Sequence, residues 1–129
     1  MQPTTHLHAG KTLLFVPCII TMLLLTSCAR KMNFGVSSIV PAATGSVKIK
    51  KDKNNNYAID VNVTNLADPG RLTPPKNVYI VWMETKNNGL KKIGLLKSSG
   101  GLLTQTLKGS LETVTTFEPV SFFITGETD

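Results

Sequence analysis

The segment Tyr57-Ala-Ile-Asp-Val-Asn-Val-Thr64 constrains this chain more than any other. Tyr57, Ile59, Val61 and Val63 alternate with Ala58, Asp60, Asn62 and Thr64. Successive side chains of a strand point to opposite faces, so this period of two describes a strand with one buried and one wet face. Upstream, Val47 and Ile49 alternate with Ser46, Lys48 and Lys50 in the same way. Between the two runs lies Asp52-Lys53-Asn54-Asn55-Asn56, whose residue types tolerate left-handed backbone and close turns. The pair reads as a β-hairpin. A lone hairpin is marginal in water, so further strands must cover its apolar face.

Those strands are legible downstream. Residues 67–77 carry three prolines and read as a loop crossing between sheets. Val78 to Glu84 is apolar on both phases, as a central strand is. Lys86-Asn87-Asn88-Gly89 predicts a hairpin turn, Asn-Gly suiting a type I′ geometry. Leu90 to Lys97 is its partner strand, and Ser98 to Gly101 is a further turn. Leu102 to Leu107 is expected as a strand, 108–119 as a connection or short strand, and Val120 to Thr125 as the last strand. Six to seven short strands with no helical period predict an all-β fold. A chain of this size with a tryptophan on its third strand fits a small immunoglobulin- or fibronectin-like β-sandwich, with Trp82 expected as an anchor between the sheets. The alternative role for Trp82 is stacking on a sugar.

The N-terminal region follows a different logic. His6, His8 and Lys11 precede an apolar run from Thr12 to Leu25. At 14 residues it is short of the roughly 20 that a spanning helix needs, and it fits the apolar region of a secretory signal. It ends in Leu25-Thr26-Ser27-Cys28, which resembles the lipobox of bacterial lipoproteins. The resemblance implies a signal peptide over 1–27, cleavage between Ser27 and Cys28, and acyl chains on Cys28 that bind the membrane. Residues 28–45 are then the lipidated cysteine and a tether, and 46–129 the sandwich domain. No Asp follows Cys28, and no acidic cluster follows it either. The resemblance therefore implies an outer-membrane anchor facing the periplasm.

Tyr57 to Leu66, Val78-Tyr-Ile-Val-Trp82, Lys92-Ile-Gly-Leu-Leu96 and Phe122-Phe-Ile-Thr-Gly-Glu127 together resemble the extracytoplasmic β-sandwich domain of anti-sigma-K-type factors. That likeness implies the sandwich fold and, as an alternative role, an accessory stress-sensing module. It does not imply sigma-factor binding. The cytoplasmic helical region and membrane helix of those factors have no counterpart here.

Residue chemistry narrows function further. Both histidines and Cys18 lie in the leader, so a mature domain would have no imidazole and no cysteine besides Cys28. That excludes Ser-His-Asp and Cys-His catalysis there, and leaves no zinc-ligand set. No metal or cofactor is expected. Lys11 is the only charged side chain before Cys28, leaving 13 basic against 8 acidic groups in the remainder. This mild excess suits anionic surfaces. Without aromatic residues interleaved among Lys48, Lys50, Lys51, Lys53, Lys91 and Lys92, it does not indicate nucleic acid. The sequence thus predicts a non-catalytic, membrane-anchored structural or interaction module of the cell envelope, with a protein or glycan partner. Arg71 and Lys76 in one loop, and Asn87 and Asn88 in another, are its candidate binding residues. The enzymatic alternative, polysaccharide cleavage, requires two carboxylates facing each other in a cleft.

Overall fold

A computed structural model describes residues 28–35, 40–101, 103 and 105–128. Their order is β1 (Ala29–Asn33), β2 (Thr44–Lys51), β3 (Tyr57–Leu66), a short 3-10 turn (Pro69–Arg71), β4 (Val78–Thr85), β5 (Gly89–Leu95), β6 (Lys97–Ser99), β7 (Leu107–Thr115) and β8 (Pro119–Glu127). All pairings are antiparallel. Sheet A has the order β1-β2-β3-β7-β6 and sheet B the order β5-β4-β8. This is a small all-β sandwich of two antiparallel sheets.

The β2–β3 hairpin forms as its alternation dictates. Val47 faces Val61, and Ile49 faces Ile59. These side chains, with Val63 and Leu66, make the sheet A half of the core. Tyr79, Val81 and Met83 of β4 supply the other half, with Phe122 and Ile124 of β8 packed against them. In the hairpin turn, Asp52 accepts hydrogen bonds from the backbone of Asn54 and Asn56 and from the Asn56 side chain. Asn55 takes a positive φ of 63° there, as its residue type permits.

The sheets approach most closely where the chain changes from one to the other. β5 belongs to sheet B, β6 to sheet A, and only buried Leu96 separates them. Leu96 donates its backbone N–H to the Tyr79 carbonyl and inserts its side chain over Gly109 of β7. Reciprocally, Leu111 of β7 lies over Gly94 of β5, where an added Cβ would meet Leu111 Cδ1 at 2.9 Å. Two glycines on facing strands thus make room for two leucines.

Five expectations of secondary structure change. Ser98 and Ser99, expected in a turn, belong to β6, with Ser98 opposite Gly109 and Ser99 opposite Lys108. Residues 29–33, expected within the tether, are β1, paired with β2 from Ala29–Lys50 to Asn33–Ser46. The strand expected at 102–107 does not extend there: Leu103 is in a turn and residues 105 and 106 are in a bend. Residues 108–115, within the 108–119 expected as a connection or a short strand, form with Leu107 a full strand beside β3. The β4–β5 turn is not type I′, because Thr85 pairs with Gly89 and only Gly89 there has a positive φ.

Candidate interaction surfaces

Trp82 is not the inter-sheet anchor. Tyr79, Val81, Met83 and Thr85 point inward, so Ile80, Trp82 and Glu84 take the opposite face of sheet B. Register then builds that face in three cross-strand rows. Leu95, Ile80 and Thr125 form the first; Lys92, Trp82 and Phe123 the second; Leu90, Glu84 and Ser121 the third. Trp82 and Phe123 stack with centroids 6.3 Å apart and planes 12° from parallel. The indole Nε1 donates to Thr125 Oγ1 at 2.8 Å, which directs the ring toward the Ile80–Thr125 pair. Ser121 Oγ donates to Glu84 Oε2 at 2.7 Å. Leu90, Leu95 and Phe123 remain 51%, 44% and 39% exposed. Large apolar side chains exposed on one sheet face, around a tryptophan oriented by a hydrogen bond, are a feature of interaction faces.

The outer face of sheet A has the opposite character. Its rows run Ala29, Lys50, Ala58, Val114; then Lys31, Lys48, Asp60, Glu112; then Asn33, Ser46, Asn62, Ser110 and Lys97. Basic groups lie on β1 and β2, acidic groups on β3 and β7. Asp60 and Glu112 are opposite each other, and Asp60 accepts a hydrogen bond from Asn62 Nδ2 at 2.6 Å. This is the paired-carboxylate juxtaposition, but it stands on an open sheet face. The depression beside it, of about 460 Å³, is shallow and also takes in Ala29, Lys48 and Lys50. Among the described residues no cluster of ligand-type side chains could hold a metal ion, and no helix is long and apolar enough to cross a membrane.

The loop residues singled out from sequence do not converge. Arg71 and Lys76 precede β4, while Asn87 and Asn88 follow it. The strand's 8 residues put the two sets about 26 Å apart, at opposite ends of the sandwich. The first loop is held in place: Asp68 Oδ1 accepts from Gly70 N, Lys76 N donates to Pro69 O, and Asn77 N donates to Glu127 O. Tyr79 Oη donates to Ala67 O beneath it at 3.0 Å. In the second, Thr85 Oγ1 donates to Gly89 O and accepts from Asn88 N.

Cys28 is exposed with a free thiol, directly before β1. Ser27 and the rest of the leader lie outside the described residues. Antiparallel pairing puts the start of β1 at the end of the sandwich that carries the 52–56 turn, since Ala29 pairs with Lys50. The 116–118 connection and the 86–88 turn share that end: Tyr57 pairs with Thr115, and Lys86 N donates to Glu118 O. Loop 67–77 is at the other end. The Trp82–Phe123 face was hidden from sequence reasoning because β4 is apolar on both phases. Two adjacent phenylalanines in β8 were a further sign that sheet B has apolar residues on both sides. Compared with protein-family models, with curated proteins and with solved structures, the chain gives no match.

Proposed function

We propose that the chain is a bacterial lipoprotein, lipidated on Cys28, whose sandwich is a non-catalytic structural or interaction module of the cell envelope. The outer face of sheet B is its binding surface, and the outer membrane facing the periplasm is its location. One observation carries the reading: the two outer faces of the sandwich differ in chemistry. That of sheet A is charged and polar, as a solvated face is, whereas that of sheet B exposes Leu90, Leu95 and Phe123 around an oriented Trp82. Leu90, Leu95, Phe123 and half-buried Trp82 need cover, and a partner supplies it. For the anchor, support comes from Leu25-Thr26-Ser27-Cys28 and its position after the apolar run.

The test places a photo-crosslinking residue at exposed Leu95, and at exposed Val114 on sheet A as control, in the full chain in a bacterial envelope. A discrete adduct from position 95 alone, lost on Trp82→Ala with the domain still folded, is the expected outcome. Equal, diffuse labelling from both positions, unaffected by Trp82→Ala, refutes the binding surface.

A further inference from the structure

The basic residues Lys31, Lys48, Lys50 and Lys53 are separated in sequence by the β1–β2 connection. Strand pairing brings them together. Lys31 stands opposite Lys48 and Ala29 opposite Lys50 on the outer face of sheet A, while Lys53 lies in the adjoining turn. All four are exposed. Arg30, opposite Ile49, and Lys51, opposite Tyr57, flank the group from the other face of the sheet. Among the described residues the ion pair is Lys86–Glu118, outside this group. Two carboxylates adjoin it: Asp52, hydrogen-bonded within its own turn, and Asp60, opposite Lys48 and hydrogen-bonded to Asn62. Lys91 and Lys92 lie in sheet B, apart from the patch.

We propose that this edge of sheet A docks on an anionic lipid surface and fixes how the sandwich stands on the membrane. The proposal takes the lipid on Cys28 from the reading above. No linker separates that residue from the fold: Ala29 is already paired. The Cα atoms of Cys28 and Lys50 are therefore within about 10 Å of each other, roughly one Debye length at 0.1 M salt. An acylated Cys28 would hold all of β1, the end of β2 and the hairpin turn against the headgroups. Basic residues beside a membrane anchor each strengthen attachment to acidic lipid by about fivefold. The acidic half of the face, Asp60 and Glu112, lies on the side away from β1 and is repelled. The contact is therefore one-sided and orienting.

The experiment uses the full chain, processed in a bacterial host and reconstituted in nanodiscs. The discs contain either phosphatidylcholine alone or phosphatidylcholine with 30% phosphatidylglycerol. Amine labelling by a water-soluble reagent is followed lysine by lysine. Acidic lipid should slow Lys31, Lys48, Lys50 and Lys53 on the order of tenfold, while Lys92, Lys97 and Lys108 keep their rates. Salt at 1 M, where the Debye length is about 3 Å, should remove the difference. Lys48→Glu with Lys50→Glu should abolish the slowing at Lys31 and Lys53, and the same positions changed to Arg should retain it. Equal rates in both discs overturn the proposal. Incorporation of labelled palmitate is measured in parallel and reads the anchor separately. If none is incorporated, the anchor reading fails, and the labelling is repeated with the unlipidated chain and vesicles of the same two compositions. Protection there upholds docking without an anchor, and its absence overturns docking too.

Discussion

Gly109 tests whether the approach of β5 to β7 is as tight as the geometry indicates. An alanine here has two opposed effects. In a strand, Gly→Ala ordinarily stabilises by roughly 0.5–1 kcal/mol by reducing the freedom of the unfolded chain. Gly109 does not have a positive φ, so its backbone raises no objection. The objection is steric. An added Cβ would overlap the Leu96 side chain, with Leu96 Cγ at 2.7 Å. Leu96 is 6% exposed and its backbone is tied to Tyr79, so it cannot swing into solvent. Overpacking of this kind costs about 1–3 kcal/mol. The steric term wins, and Gly109→Ala should destabilise by about 1–2 kcal/mol, or roughly 4–16 °C in Tm for a domain of this size. Leu96→Ala alone leaves a cavity and should cost about 2–5 kcal/mol. In the double variant the new methyl enters the vacated space, so the two costs should fall short of additive by at least about 1 kcal/mol. Urea unfolding followed by the fluorescence of Trp82, the sole tryptophan, gives all three values. A Gly109→Ala variant as stable as the parent, or more so, would refute the argument. So would strict additivity.

Other outcomes follow from the same contacts. Tyr79→Phe removes the bond to Ala67 O beneath loop 67–77 and should cost about 1 kcal/mol. Burial, and then the charge of Asp68, raise the Tyr79 phenol above its usual 10.0. The unfolded chain therefore releases this proton first, so stability should hold up to about pH 10 and fall above it, with a shallower fall in Tyr79→Phe. In the hairpin turn, the Asn56 side chain, and then backbone donors, hold the Asp52 carboxyl below 3.8. Its contribution should be present above that pH and lost as pH falls through the lowered value; an Asp52→Ala variant showing the same acid limb as the parent would contradict this. Thr125→Val frees the Trp82 indole N–H, and a change in emission maximum without loss of fold is the expected reading. Finally, Cys28→Ala should abolish palmitate labelling and leave unprocessed precursor; normal processing of that variant would remove the basis for the anchor.

How far the fold could be read from sequence depended on how each strand meets its neighbours. β2 and β3 each have one core face and one wet face, so alternation located them and gave their register. β7 was legible only in part. Its inward positions include Gly109, Thr113 and Thr115, and the space above Gly109 is filled by Leu96 from the other sheet. A strand that borrows its apolar filling from a facing strand has little alternation of its own. β1 has a single large apolar residue, Met32, because it is an edge strand with one neighbour, and Arg30 and Lys31 there suit an edge. Trp82 could not be assigned a face, since residues 78–83 are apolar on both phases and only pairing with β5 and β8 decides. The candidate surfaces were less legible still, because both are products of register. Lys31 beside Lys48, and Trp82 beside Phe123, are neighbours across strands and distant in sequence.

The pairing of β1 also has a mechanical consequence. β1 runs antiparallel to β2 along its full length, with Cys28 at the end of the sandwich where β2 finishes. A pull on Cys28 along the strand axis therefore does not peel residues from the sheet one at a time. It loads the β1–β2 ladder in shear, so that its hydrogen bonds resist together. The same pull directed sideways, away from β2, would open them in sequence from Ala29 onward. The attachment point is strong along one axis and weak across it, and the direction of the load decides whether the first strand stays in the sheet.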